Sequence, residues 1–105
     1  MNIIRGTTPV IVVNVKNDID LTEVANVWVY IAQRGRPVVD KIMRDAEIDA
    51  ENKKITVNVS QKESLKLNAG VALLQVRLLM EDGTAMATYA QDVEVAEIYK
   101  GGVIA

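Results

Sequence analysis

Four acids recur at every second position: Asp45, Glu47, Asp49 and Glu51. On an extended strand that spacing sets all four carboxylates on one face, because side chains alternate with period two. Clustered carboxylate oxygens are the donors that Ca²⁺ takes. The segment lacks the D-x-D-x-D-G loop, and a turn falls at Ala50-Glu51-Asn52-Lys53. A solvated acidic face beside a turn accounts for the same residues. A second acidic group, Asp18, Asp20 and Glu23, is explained by capping, since Asp20-Leu21-Thr22-Glu23 places an N-cap Asp three residues before a Glu. Paired acids could hydrolyse a glycosidic bond only across a cleft and with one pKa raised. A chain of short loops offers little cleft. Arg34-Gly35-Arg36 sets two cations beside a glycine that could meet a phosphate; a turn with flanking charges is the simpler account. Trp28 and Tyr30 share one strand face. Exposed, they could stack on a sugar ring or a base. Apolar neighbours on both faces favour a core position for both.

Composition closes most other routes to chemistry. The 105 residues include no cysteine and no histidine. The commonest general base and the commonest metal ligand are therefore missing, and zinc sites of the Cys/His kind cannot form. No G-x-S-x-G, Walker A or G-x-G-x-x-G pattern occurs. The net charge is −2 with scattered lysines and arginines, so no nucleic-acid footprint is expected. No apolar run approaches the ~20 residues that span a bilayer, and the N-terminus lacks the charged and apolar regions of a signal peptide. The expectation is a non-enzymatic protein without cofactor or metal, with no nucleic-acid or membrane partner.

The elements that would position a working surface are strands. Half of the residues are hydrophobic, mostly Val, Ile, Leu and Ala, and Phe is absent; β-branched residues suit pleated sheets. Gly70 to Ala96 reads as one long hairpin, turning at Glu81-Asp82-Gly83-Thr84 through an Asp-Gly type I′ turn. That turn pairs Met80 with Ala85, Leu78 with Ala87, Val76 with Tyr89, Leu74 with Gln91 and Ala72 with Val93 on an apolar core face. The second face pairs Leu79 with Met86, Arg77 with Thr88, Gln75 with Ala90, Leu73 with Asp92 and Val71 with Glu94. Val71, Leu73, Gln75, Arg77, Leu79 and Met86 thus form a mixed patch that suits a protein contact. Cover by the tail residues Val103 and Ile104 is the competing account.

Upstream, Val10 to Val15 is apolar on both faces up to Asn14, which predicts an interior or covered strand. Asn26 to Gln33 is apolar on both faces and predicts a central strand. It is followed by a turn at Arg34 to Pro37 and a hairpin partner from Val38. Lys54 to Val59 alternates, with Ile55, Val57 and Val59 inward. Ser60-Gln61-Lys62-Glu63 is a capping box that predicts a helical turn over Gln61 to Leu65. Asn52 is the residue expected in the left-handed region. About seven short strands with turn signals every ~8–12 residues predict one domain over residues 1–105, an antiparallel β-sandwich with one or two helical turns. A small barrel is the alternative. The double glycine Gly101-Gly102 predicts a flexible tail over 101–105.

The segments Ile3-Ile4-Arg5-Gly6-Thr7-Thr8-Pro9, Asp20-Leu21-Thr22-Glu23-Val24, Ser60-Gln61-Lys62-Glu63-Ser64-Leu65, Leu74-Gln75-Val76-Arg77, Asp82-Gly83 and Ala87-Thr88 together resemble small prophage-encoded proteins of Gram-positive bacteria. The pattern is similar to the N-terminal domain of phage baseplate upper proteins. The resemblance implies an immunoglobulin-like β-sandwich and a bacteriophage virion structural or assembly role in the tail or baseplate, without catalysis. It also implies residence in the virion or in the host cytoplasm during assembly. The partners it implies are other phage structural proteins or further copies of the chain. A carbohydrate-binding adhesion module is the alternative function, resting on exposure of Trp28 or a tyrosine.

Overall fold

The computed structural model describes residues 1–16, 18–42, 46–88, 90–99 and 101–104. In chain order the elements are β1 (Asn2–Ile4), β2 (Val10–Asn14), a 3₁₀ turn (Leu21–Glu23), β3 (Val24–Gln33), β4 (Arg36–Ile42), β5 (Ala46–Asp49), β6 (Lys54–Asn58), α1 (Gln61–Leu65), β7 (Gly70–Met80), β8 (Ala85–Ala87) and β9 (Gln91–Ala96). They form two sheets. The larger runs β1-β9-β7-β3-β4 with β8 also on β7; the smaller runs β2-β6-β5. The two sheets face each other across one core, in which Val27, Val29, Ile31, Leu74, Val76 and Leu78 of the large sheet and Ile11, Ile55 and Val57 of the small one are all buried. This is an all-β, immunoglobulin-like sandwich, with a three-strand sheet opposing an extended sheet around a central β3–β7 pair. Among the described residues it has nine strands where about seven were expected. β1 forms a separate short strand parallel to β9, and the last arm of the hairpin is split in two.

β3 occupies the central place its sequence requires, antiparallel to both β4 and β7. Its hairpin to β4 turns at Arg34 and Gly35, which both have positive φ, as a type I′ turn demands. β2 departs from expectation. Among the described residues it pairs only with β6, as an edge strand, with Val10 60% and Val12 44% exposed. A two-sided apolar pattern there marks an uncovered edge, not an interior strand. The left-handed residue of the β5–β6 turn is Lys53 (φ 54°), not Asn52; Asn52 instead donates its backbone and side-chain amides to the Asp49 carboxylate at 3.1 and 2.8 Å.

The predicted capping box is present over Gln61–Leu65. Ser60 Oγ accepts from Glu63 N–H, and Glu63 Oε1 accepts from Ser60 N–H at 2.9 Å. α1 fastens the N-terminal crossing between the sheets. Arg5 donates through Nε to Leu67 O (2.6 Å), through Nη2 to Leu65 O (3.0 Å) and through Nη1 to Glu97. Ser64, the one buried polar side chain among the described residues, donates to Thr7 O at 2.7 Å. Gly6 has φ +74°, and a Cβ there would stand 3.0 Å from Ile98 Cδ1 and 3.3 Å from Leu65 Cδ2. A side chain is excluded by both conformation and space. On the opposite edge, Lys41 Nζ donates to both Glu63 oxygens at 2.8 and 3.0 Å. Partial burial pushes the Glu63 carboxyl up, but the Lys41 ammonium and the Ser60 groups outweigh it and hold it below the usual range.

Candidate functional site

The long strand β7 carries the candidate surface. Odd residues Val71, Leu73, Gln75 and Arg77 are exposed and even residues Ala72 to Met80 are buried, as period-two alternation requires of a half-covered sheet. The patch is extended sideways by β3. Trp28 lies opposite Arg77 and Tyr30 opposite Gln75, with Asn26 beside Leu79 and Ala32 beside Leu73. On the far side of β3, Trp28 neighbours Ile42 and Tyr30 neighbours Asp40. Both aromatics are only partly buried and point away from the core. The expectation that they are core residues is therefore wrong. Val27, Val29 and Ile31 fill the inner face of β3, and Trp28 and Tyr30 fall to the outer face by alternation.

Met86 does not belong to the patch. The turn after β7 is a three-residue loop. Met80 N–H bonds Thr84 O at 2.8 Å and Gly83 N–H bonds Met80 O at 3.0 Å, with Gly83 at φ +90°. Asp82 Oδ1 accepts from Thr84 N–H at 2.8 Å. A three-residue loop moves the register by one from that of a two-residue type I′ turn. Leu78 consequently faces Met86, and Leu79 faces Ala85. The slip turns Met86 inward, where it packs on the core. The expected register returns beyond a bulge. Val76 and Thr88 are joined by hydrogen bonds, and Leu74 pairs with Gln91. Tyr89, expected on the core face there, lies outside the described residues.

The surface that remains is apolar in the middle and charged around it. Val71 is 61% and Leu73 44% exposed, and Leu79 is partly buried. Trp28, Tyr30, Arg77, Leu79 and Ala85 line a shallow cleft of about 300 Å³. Gln75 is tied into the sheet, donating to Thr88 O at 2.9 Å. Among the described residues nothing pairs with the Arg77 guanidinium. Asp92 beside Leu73 and Glu94 beside Val71 supply negative charge at the rim. Among the described residues the tail does not cover the patch. Ile104 turns instead to α1, exchanging two hydrogen bonds with the Gln61 side chain at 2.9 and 3.1 Å.

The acidic groups are held by turns. Glu47 and Asp49 are exposed on β5 and Glu51 is exposed in the turn; Asp45 lies outside the described residues. The Asp49 carboxyl is lowered by the Asn52 side chain and backbone. Asp20 is lowered by the Thr22 hydroxyl and N–H, and it caps the 3₁₀ turn as its spacing predicts. Among the described residues, no three acids converge as a cation site. Every resolved carboxyl shift there is downward, whereas a general acid working at neutral pH needs an upward one. No described helix is long and apolar enough to cross a membrane.

No family model matches the chain, and no curated protein is similar to it. Among solved structures, CopC from Methylosinus trichosporium OB3b is similar over 71% of this chain and 65% of that one, at 18% identity and a TM-score of 0.45. The chain thus spans less than two thirds of that protein. The expectation of a phage tail or baseplate component, with its carbohydrate-binding alternative, is corrected at this point. The structural similarity found is to CopC, and the phage role and its alternative are not taken further.

Proposed function

We propose that the protein is a non-enzymatic binding module that docks a partner protein on the outer face of the large sheet. The observation that carries this is the contiguous strip of Val71, Leu73, Leu79, Trp28 and Tyr30 on adjacent strands around Arg77. Exposed apolar residues are ordinary when scattered; gathered on a flat face with a polar rim they mark contacts. Trp, Tyr and Arg are the side chains that dominate binding energy in such patches. The chemistry specifies the partner: a flat apolar surface with a carboxylate to meet Arg77, and cations near its edge to meet Asp92 and Glu94.

The test is a photo-crosslinking amino acid at position 73, with position 56 on the outer face of the small sheet as control, in cells that naturally make the protein. One discrete adduct at position 73, lost on Arg77→Glu and absent at position 56, is the expected result. Equal labelling at both positions, or an adduct indifferent to Arg77→Glu, overturns the proposal.

A further inference from the structure

We infer that the free edge of β2 is an acceptor site for one extended segment of a partner chain, which adds to the small sheet as a fourth strand. Three observations on the opposite side of the molecule from Trp28 lead there. The first is backbone hydrogen bonding. Val59 N–H bonds Pro9 O at 3.0 Å and Val15 N–H bonds Lys53 O at 2.8 Å, and β2 and β6 pair between these ends without a shift. Antiparallel pairing alternates, so residues 9, 11, 13 and 15 direct their N–H and C=O groups to β6. The groups of Val10, Val12 and Asn14 point to the free edge. None of the described residues meets them.

The second observation is how the edges differ. β4 carries Pro37 with Arg36, Asp40 and Lys41, β5 carries Glu47 and Asp49, and β1 has three residues. Prolines, charges and shortness are the features that stop edges from pairing. β2, Val-Ile-Val-Val-Asn, has none of them.

The third is space. A cleft of about 400 Å³ opens beside β2, with Val13, Ile19, Leu74, Val76 and Met86 as its apolar lining. Its rim includes Lys16 and Asp18, one charge of each sign, so the matching segment is uncharged where it lies against β2. In this sandwich the first strand joins the large sheet through β9, and among the described residues no strand pairs with the far edge of β2. A single extended strand fits. Its alternate apolar side chains turn toward the cleft, the mode of recognition in which backbone bonds supply affinity and pockets supply specificity.

The probe is a blocked synthetic peptide with the sequence of residues 55–60, which is uncharged, already complements the other edge of β2 and alternates apolar with polar residues. Binding to the whole protein is followed by amide NMR. The expected dissociation constant is roughly 0.1 mM, in keeping with an interface below the ~1,200 Å² of stable complexes. Shifts should centre on Val10, Val12 and Asn14, whose amide exchange slows by about tenfold or more. Trp28 and Leu73 amides stay unmoved, which separates this site from the outer face of the large sheet. Two N-methylated peptides decide the matter, one blocked at even positions and one at odd. Only the peptide whose N–H groups facing β2 remain free should bind. Binding by both, binding by neither, absence of binding of the parent peptide at millimolar concentration, or shifts centred elsewhere overturns the inference.

Discussion

The two sheets turn very different outer faces to solvent. On the large sheet, Trp28, Tyr30, Leu73 and Leu79 meet across the two central strands. On the small sheet the central strand β6 shows Lys54, Thr56 and Asn58, and β5 shows Glu47 and Asp49. Its exposed apolar residues, Val10 and Val12, are confined to the edge strand. Both faces are equally free to be polar as far as folding is concerned, because neither supports the core. The contrast therefore concerns contact: the large sheet offers a face, the small sheet an edge.

The largest effect that could break this contrast is on stability. Leu74→Ala, on the buried side of β7, should cost about 2–5 kcal/mol by leaving a cavity. Leu73→Ala, one residue along and outside, should stay within about 0.5 kcal/mol, as surface changes do. Urea unfolding of both variants checks this. A Leu73→Ala cost as large as that of Leu74→Ala would make the outer face a structural element and dissolve the comparison.

Next in size is the effect on partner binding. Leu79→Asp or Arg77→Glu should weaken the photo-crosslinked contact by about tenfold or more, as loss of a central contact residue does. Thr56→Glu, of similar chemistry on the small sheet, should leave it unchanged. Met86→Ala sharpens the boundary of the patch. Its side chain packs inward, so the variant should lose about 1–2 kcal/mol of stability, at the low end of core truncations because the residue is half-buried, and keep partner binding. A Met86→Ala protein of undiminished stability but impaired binding would return Met86 to the contact face.

The smallest effect concerns the corner that holds both sheets together. Glu63→Gln removes the charged member of the capping box and of the Lys41 pair, for about 1 kcal/mol. The folded-state pKa of Glu63 is lowered. Its contribution is therefore fully present above the unfolded value, about 4.3, and is lost as pH falls through the lower folded value. The stability gap between wild type and Glu63→Gln should be constant at neutral pH and narrow below about pH 4. Thermal melts at a series of pH values would show it, and a gap that widens on acidification contradicts the assignment.

Much of this was legible in local sequence, where the deciding interactions span a few residues. The Ser60–Glu63 box and the Asp20 cap depend on neighbours within four positions, and both formed as the sequence predicts; the β3–β4 turn falls where expected but is shorter, with Arg36 and Pro37 already in β4. The patch was legible in part, because alternation along β7 sets Val71, Leu73, Gln75, Arg77 and Leu79 on one face whatever the partner strands do. Met86 was misplaced because Asp82-Gly83 serves either a two-residue or a three-residue loop, and one residue of slip exchanges the two faces. Trp28 and Tyr30 were misplaced because apolarity on both sides of a strand does not say which side meets the other sheet.

By itself, then, the sequence determined the all-β class, the helical turns, the central position of β3 and the absence of histidine and cysteine chemistry, since these follow from composition, short-range hydrogen bonding and period-two alternation. Only the tertiary structure decided which face of β3 is covered, which way Met86 turns, and that β1 joins β9 and, among the described residues, leaves the edge of β2 open. Each of those outcomes depends on contacts between residues far apart in the chain. The Arg5 bonds to Leu65 and Leu67 that fasten the first crossing are the plainest case.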